Sequence, residues 1–271
     1  GNTYYYRIIA TDNAGNTTTS ICSSAMAVDI TAPSAQTTLA WSVTSPVNNT
    51  NLNATWVLSS SGDIANQTIS FFQDNTCTTA TPASPITLTN SATSQSVTGV
   101  DDSTYYFSLT ATDTAGNTTT TGCSSGLLID VTAPTVATAL GWTEGAGSNL
   151  ANVNAAWTLS TDLRIASQTI TYYTDPTCTV AEGTSNVLTN IANSNAFTGV
   201  DGTVYYYTIT TIDTATNSST SSCSSSMRID TNPPAAATSL AWNETTPHDG
   251  TTVTNVWIPS VDGDVASQRI T

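Results

Sequence analysis

Residues 200–213 read VDGTVYYYTITTID, and the stretch has two earlier copies, VDDSTYYFSLTATD at 100–113 and GNTYYYRIIATD at 1–12. Along the middle copy, more apolar side chains alternate with more polar ones. The first set is Tyr105, Phe107, Leu109 and Ala111, and the second is Tyr106, Ser108, Thr110 and Thr112. A period of two is typical of a β-strand that has one face in a core. The stretch therefore predicts a protein built from β-strands.

The copies recur along the whole chain with a period of about one hundred residues. The offset from Cys22 to Cys123 is 101 residues and from Cys123 to Cys223 it is 100, so the third copy has lost one residue, near Gly199. Other landmarks recur at matching offsets: Pro33, Pro134 and Pro234; Trp41, Trp142 and Trp242; Trp56, Trp157 and Trp257; Gln67, Gln168 and Gln268. Such self-similarity predicts a string of like domains, each with its own core.

Short strands and polar turns, without a helical pattern, predict an all-β fold of two-sheet sandwiches. Asp113 to Asn117 is predicted to be a hairpin loop, in which Gly116 can take a positive φ. Prolines at the aligned Thr-Ala-Pro and Asn-Pro-Pro segments interrupt strand pairing and mark the domain junctions. Four segments result: 1–32, the last strands of a truncated domain; 33–132 and 133–232, two whole domains; and 233–271, the first strands of another. We call 33–132 the first complete repeat and 133–232 the second.

The composition is acidic and free of lysine. Nineteen acidic residues oppose four arginines, which gives a formal net charge of −15. This charge repels phosphate backbones and anionic lipids, so it argues against nucleic-acid and membrane-surface binding. Six tryptophans and ten tyrosines can support a core, which an acidic disordered tail would lack. No apolar run approaches the roughly 18 residues of a membrane helix, so no membrane insertion is expected in this segment.

A resemblance to a known group becomes specific at the stretch quoted first. Val200 to Asp213 resembles the corner and penultimate strand of fibronectin type III-like and bacterial Ig-like domains, in which that strand ends at Asp-x-Ala-Gly-Asn. Asp12 to Asn16 and Asp113 to Asn117 keep this ending, whereas the third copy has Thr216 in place of the glycine. The resemblance implies tandem Ig-like (fibronectin III-like) β-sandwich domains. Tandem arrays whose junctions read Asp-x-Thr-Ala-Pro, as at Asp29 and Asp130, resemble the stalks of large bacterial surface adhesins.

The five cysteines fall at two periodic places, without a CxxC pair or clustered histidines. This placement favours disulfides in an oxidising compartment over a zinc site, so we expect an exported protein at the cell surface or outside the cell. Cys77 is predicted to pair with Cys123, and Cys178 with Cys223, because both members of each pair fall in the same sandwich. Cys22 would have its partner in a part of its domain that precedes Gly1.

The sequence offers little for catalysis, and we assign no catalytic residue. Gly122 to Gly126 matches the G-x-S-x-G pattern of serine hydrolases, but the aligned copies lack both glycines. The single histidine, His248, lies in a loop of the last, incomplete domain and is no evident base for a serine. We therefore expect a protein that is not an enzyme.

Calcium is the cofactor that the aspartates suggest. In an Ig-type sandwich, the loops after the second and the penultimate strands lie at the pole where the chain enters. Carboxylates of the linker and of these two loops would converge there, and calcium prefers several such oxygens. The two predicted trios are Asp29, Asp63 and Asp113, and Asp130, Asp162 and Asp213. Arg164 takes the place of Asp63 in the second complete repeat, and plain turn or capping roles for these aspartates remain the alternative.

Four tyrosines should point away from the core: Tyr5, Tyr106 and Tyr206, which recur at corresponding places, and Tyr173 on another strand. Such an exposed aromatic ladder could bind neighbouring chains or glycans. Strand propensity alone is the alternative explanation for these residues.

These observations favour a non-enzymatic extracellular structural protein, a segment of a long bacterial stalk, adhesin or filament of tandem Ig-like repeats. We expect many more domains in a longer chain, and self-association or lateral packing of chains in a fibre. The alternative is a carbohydrate- or partner-binding Ig-like module of an exported protein.

Overall fold

The structure, a computed structural model, describes residues 1–82 and 84–271. Its regular elements are all β-strands, and they confirm the predicted all-β fold of tandem Ig-like, fibronectin III-like sandwiches. Among the described residues, no helix is long and apolar enough to cross a membrane.

Residues 1–32 form two small antiparallel pairs whose side chains are almost all exposed. Strand β1 (Asn2–Tyr4) pairs with β4 (Met26–Val28), and β2 (Ile9–Thr11) pairs with β3 (Thr17–Thr19). The loop between β2 and β3 is the first copy of the predicted hairpin.

The first complete repeat is a sandwich of two antiparallel sheets. One sheet has the order β5-β6-β9, and the other has the order β11-β10-β7-β8, with β12 also paired to β10. The strands are β5 (Thr37–Trp41), β6 (Asn51–Val57), β7 (Ile64–Phe72), β8 (Ile86–Thr89), β9 (Ser94–Thr98), β10 (Thr104–Asp113), β11 (Thr118–Thr120) and β12 (Leu127–Leu128).

The core of this repeat is the set of inward-facing residues that the alternation predicts. Trp56 on β6 and Phe71 on β7 are buried, and so is Phe107 on β10. The ring of Trp41 meets that of Phe107 edge to face, with centroids 5.0 Å apart. Such aromatic pairs add about 0.5–1.5 kcal/mol to the contribution from buried area, so this pair helps to hold the two sheets together.

A tyrosine corner leads into β10. The Tyr105 hydroxyl accepts a hydrogen bond from the backbone N–H of Val100 at 3.1 Å. A Cβ atom on Gly99 would lie 2.8 Å from the Tyr105 ring and 2.3 Å from the side chain of Ile129, so only glycine fits. Gly199 and Tyr205 repeat the arrangement in the second complete repeat.

A buried polar network accompanies the tryptophan of β6. The indole N–H of Trp56 donates to Gln67 Oε1 at 3.0 Å. The Gln67 Nε2 group donates to the backbone carbonyls of Thr89, Asn90 and Ala92, in the turn between β8 and β9. Buried polar groups are costly when they are unpaired. Gln67 therefore stabilises the sandwich by pairing both the indole N–H and the carbonyls of this turn.

The second complete repeat has the same architecture. One sheet has the order β13-β15-β18 and the other β14-β21-β19-β16-β17, with β20 also paired to β19. The strands are β13 (Thr138–Trp142), β14 (Gly147–Ser148), β15 (Asn152–Thr158), β16 (Ile165–Tyr173), β17 (Asn186–Thr189), β18 (Ser194–Thr198), β19 (Val204–Asp213), β20 (Ser218–Thr220) and β21 (Met227–Ile229).

The strand register corrects one prediction from the sequence. Gln67 pairs with Leu88 in the first complete repeat, and Gln168 pairs with Leu188 in the second. The offset between the repeats therefore changes from 101 to 100 between these two strands. The missing residue is in the loop that follows Cys178, rather than near Gly199.

The core of the second complete repeat is more polar than that of the first, because Tyr207 occupies the position equivalent to Phe107. Its hydroxyl accepts from the N–H of Gly141 at 2.8 Å and donates to the carbonyl of Ala156 at 2.6 Å. Gly141 follows the bulge in which the register of β13 shifts, so the hydroxyl serves backbone groups at this irregularity. Burial raises the pKa of Tyr207 to about 12.

Residues 233–271 contain one antiparallel pair, β22 (Thr238–Trp242) and β23 (Asn255–Ile258), whose apolar side chains are largely exposed. By its internal contacts the chain divides into two compact units, residues 1–134 with 212–218, and 135–211 with 219–271. The division into four domain segments stays a prediction.

Candidate functional site

Both predicted disulfides are present in the structure. Cys77 is bonded to Cys123 and Cys178 to Cys223, with Cα atoms 5.8 and 5.9 Å apart. Cys22 is an exposed free thiol. Structural disulfides are typical of oxidising compartments, so the two bonds are consistent with an extracellular protein.

An aspartate organises the loop that carries the first cysteine of each disulfide. The Asp74 carboxylate accepts hydrogen bonds from the hydroxyls of Thr76 and Thr78 and from the backbone N–H groups of Thr76, Thr78 and Thr79. These donors, the Thr76 hydroxyl first, hold the pKa of Asp74 well below its usual range. Asp175 binds Thr177, Thr179 and Val180 in the same way.

The sequence analysis did not identify these two aspartates. The available signal was the pattern Asp-x-Thr-Cys-Thr, which occurs at Asp74 and again at Asp175. Cys77 and Cys178 both have a φ of 53°, a left-handed conformation that an ordinary residue adopts at a cost. The hydrogen-bonded loop therefore holds each cysteine in a conformation that the isolated segment would disfavour.

The structure brings the first predicted trio of aspartates together. One carboxylate oxygen from each of Asp29, Asp63 and Asp113 lies within 4.8 Å of the other two. They come from the linker before Pro33, from the loop between β6 and β7, and from the end of β10. Oxygen atoms of this kind are the ligands that calcium prefers, but calcium binding at this cluster stays a prediction.

Hydrogen bonds within the protein already hold this cluster. Asp113 Oδ1 accepts from the backbone N–H groups of Ala115 and Asn117, and Oδ2 accepts from the Asn117 side chain. The Asn117 amide also donates to the backbone carbonyl of Asp29 at 3.2 Å, and Thr114 N–H donates to that of Asp63. The Asn117 amide is the largest of the causes that lower the pKa of Asp113. The hairpin thus clasps both the linker and the neighbouring loop.

The three aspartates of the second predicted trio are divided between the two units. Asp130 and Asp213 belong to the first unit, where the Asn217 side chain donates to the Asp130 carbonyl and the Asp213 carboxylate, each at 2.8 Å. Asp162 belongs to the second unit, where its carboxylate accepts from the N–H of Arg164. The asparagine clasp is therefore common to both complete repeats.

The predicted aromatic ladder is less exposed than expected. Tyr5 is 59% exposed, but Tyr106, Tyr173 and Tyr206 are half-buried. The ring of Tyr106 lies against Gly126, where a Cβ atom would come within 2.9 Å of it. The backbone therefore covers part of this ring, which leaves less aromatic surface for a ligand.

Comparison with known proteins identifies no family. No protein-family model matches the chain, and no curated protein matches it with significance. Among solved structures, it is similar to the crystal structure of the chicken CNTN1 FN1-FN3 domains, with 13% sequence identity and a TM-score of 0.41, over 83% of this chain and 77% of that one. The assignment of the fold rests on the strand order and the cores described above.

Proposed function

We propose that this chain is a segment of a non-enzymatic extracellular structural protein, in which tandem sandwiches act as spacers of a bacterial stalk, adhesin or filament. Length would then be the property that each additional repeat contributes.

One observation carries the proposal: the structural features that the two complete repeats share are those that stabilise a sandwich. Both contain the tyrosine corner, the Trp–Gln network, the disulfide and the asparagine clasp. The loop that follows the first strand differs at five of seven positions, with SPVNNTN at 45–51 and AGSNLAN at the aligned residues 146–152. A repeated recognition site would require the same loop chemistry in every copy, whereas a spacer requires only the same framework.

The composition supports a location outside the cell. One disulfide in each complete repeat suits an oxidising compartment. A chain without lysine has few cleavage sites for trypsin-like proteases, and its net charge of −15 favours solubility.

Surface digestion of intact native cells tests the proposal. Because only four arginines and no lysine are present, an Asp-specific protease should replace trypsin. Mass spectrometry should then find peptides of this chain in the material released from unbroken cells, together with further peptides of the Asp-x-Ala-Gly-Asn type. Peptides found only after lysis, in the reduced cytosolic fraction, would contradict the proposal.

The alternative function is a binding module for a carbohydrate or a protein partner, which the variable loops favour. Glycan-array binding by the purified chain distinguishes the two. Saturable binding that substitutions in residues 45–51 or 146–152 abolish would favour the module over the spacer.

A further inference from the structure

The acidic residues are almost completely excluded from the strands. Of the nineteen, only Asp113 and Asp213 lie in a described strand, and each is the buried last residue of its strand. All others lie in turns, loops and linkers. Of the four arginines, only Arg228 on β21 lies in a described strand, so apart from this residue the outer faces of the sheets carry no charge on a chain whose net charge is −15.

One outer face of the first complete repeat is a regular array of uncharged polar side chains, seven of them threonines and one an asparagine. On the sheet β11-β10-β7-β8, the strand register aligns outward-facing residues in two rows across four strands. The rows are Thr120, Thr110, Thr68 and Thr87, and Thr118, Thr112, Asn66 and Thr89. We call these eight residues the threonine face.

The side chains of the threonine face are accessible and stiff. Thr87, Thr89, Thr118 and Thr120 are exposed, and the other four are partly exposed. Threonine is β-branched, so it loses little rotamer freedom when a partner covers it. Thr110 and Thr120 share a hydrogen bond of 2.8 Å, whereas in the described part of the chain no side chain bonds the hydroxyls of Thr68, Thr112 or Thr118.

The second complete repeat presents a similar face. Thr210 and Thr220 share the corresponding hydroxyl bond at 2.9 Å, and on the neighbouring strands Ser167 pairs with Thr189 and Thr169 with Val187. Val187 is 76% exposed. The neutral face therefore recurs with the period of the repeat and includes an exposed apolar side chain.

We propose that the threonine face, and its counterpart in each repeat, is the surface through which copies of this chain pack side by side. The inference rests on the proposed structural function and specifies the partner. Two copies that each carry −15 repel one another wherever loop carboxylates meet, so contact is favoured where both surfaces are neutral. Another copy of the chain carries the same neutral surface in each of its complete repeats, so it offers a matching partner for this face.

The size of the face sets the expected strength of this contact. Eight residues are fewer than the roughly 20 per side of a standard stable interface, so one repeat alone should associate weakly. A neutral glycan could also meet hydroxyl groups, but the exposed Val187 and the recurrence with the chain's own period favour a protein partner of the same kind.

Sedimentation velocity of the 271-residue chain over a range of concentrations at 0.15 M salt, near physiological ionic strength, tests the inference. The sedimentation coefficient should rise with concentration. A variant with Thr68→Asp and Thr169→Asp puts one carboxylate on the face of each repeat, and its dissociation constant should increase about tenfold or more because like charges then meet. The matched control, Ser94→Asp with Ser194→Asp, adds the same charge to exposed positions on the opposite sheets and should change the constant by less than about twofold.

Melting curves and near-ultraviolet circular dichroism check that the variants fold. If Thr68→Asp with Thr169→Asp unfolds the chain, the exposed positions Thr118→Asp and Ser218→Asp replace it. A wild-type chain that stays monomeric throughout overturns the inference, as does equal weakening by face and control variants. Association that no face variant alters, such as contact through the exposed apolar residues of 233–271, also overturns it.

Two further outcomes separate this inference from the proposed function. Binding of a neutral linear β-glucan that Thr68→Asp abolishes, by a chain that stays monomeric, would assign the face to a glycan and overturn side-by-side packing. A monomeric chain that is nevertheless released from the surface of intact cells would refute only the lateral contact and leave the spacer function standing.

Discussion

At the scale of single residues, the hairpin after β10 and its counterpart after β19 show how one backbone conformation accommodates two side chains. Gly15 and Gly116 adopt φ values of 90° and 92°, and Thr216, which replaces the glycine, keeps the left-handed conformation with a φ of 74°. The Asp213 carboxylate accepts from the N–H groups of Ala215 and Asn217, as Asp113 does in the first complete repeat. Asp213 and Asn217 therefore determine the conformation of the loop, and Thr216 adopts the left-handed conformation at an energetic cost.

This strain predicts a stabilising substitution. A β-branched residue in the left-handed region costs about 1–2 kcal/mol, whereas glycine loses about 0.5–1 kcal/mol of extra backbone entropy on folding. Thr216→Gly should therefore raise the free energy of unfolding by about 0.5–1 kcal/mol in urea titrations. Gly116→Thr is the reverse control and should destabilise by a similar amount, because nothing lies within 4 Å of an added Cβ atom there. A destabilising Thr216→Gly would show that threonine makes a contribution beyond its backbone.

At the scale of elements, each sandwich is held by buried polar groups that bridge its strands. Gln168 accepts from the Trp157 indole at 3.0 Å and donates to the carbonyls of Thr189, Asn190 and Ala192. The glutamine is 1% exposed, so water cannot replace these bonds. It therefore ties the strand β16 to the turn between β17 and β18.

Replacing this glutamine should be costly. Gln168→Met keeps a similar volume but leaves the indole N–H and the turn carbonyls without a partner, so we expect a loss of about 2–4 kcal/mol in the free energy of unfolding. Thr169→Val, at the half-buried next position, is the control and should change stability by less than about 1 kcal/mol. A neutral Gln168→Met in urea unfolding would mean that the turn rearranges to satisfy its own carbonyls.

The loop around each first cysteine should respond to acid. The folded-state pKa of Asp74 lies below its ordinary value, so the stability from its hydrogen bonds is present above about pH 4 and is lost as the pH falls through the lowered pKa. Hydrogen exchange by NMR should show the amides of Thr78 and Thr79 losing protection as the pH drops below 4. Asp74→Asn should remove that protection at pH 7, whereas Asp249→Asn, which makes the same charge change in another loop, should not. Protection of both amides that is independent of pH would contradict this role.

The calcium prediction also belongs to the loops. Three carboxylates within 4.8 Å repel one another, and a divalent ion would offset this repulsion. If Asp29, Asp63 and Asp113 bind calcium, millimolar calcium should raise the melting temperature, a chelator should reverse the effect, and Asp63→Asn should abolish it. The transition of the second complete repeat, where Arg164 replaces Asp63, should respond less. A melting curve that calcium leaves unchanged would assign the three aspartates to turns alone.

The sequence predicts the elements better than the contacts between their loops. Period-two alternation was sufficient to place Trp56, Ile69 and Phe107 in the core, because burial follows directly from the strand pattern. The disulfides followed from the assignment of both cysteines to one sandwich. The roles of Asp74 and Asn117 could not be predicted in the same way, because they depend on the direction that a turn gives to a short polar side chain. The half-buried state of Tyr106 depends on Gly126, which is distant along the sequence and close only in the fold.

At the scale of the whole molecule, the disulfides recur once in each complete repeat. Most carboxylates lie in the loops, and the disulfides join parts of a single repeat, 46 and 45 residues apart. Each bond closes a segment that contains four whole strands, β8, β9, β10 and β11 in the first complete repeat. A repeat that unfolds under load can therefore extend only outside its closed segment, which is a useful property for a chain that bears tension.

Single-molecule stretching measures this directly. Under oxidising conditions, the segment that the disulfide closes in each complete repeat should not extend. Reduction should lengthen each unfolding step by about 160 Å, since 46 residues extend by roughly 3.5 Å each. Cys77→Ala should lengthen only the step of the first complete repeat before reduction, while that of the second, with Cys178 bonded to Cys223, should still require the reductant. The free thiol of Cys22 is exposed, so control pulls need an attachment that does not use it. Steps of equal length with and without reductant would show that the disulfides do not limit extension, and the chain would then lack this means of bearing load.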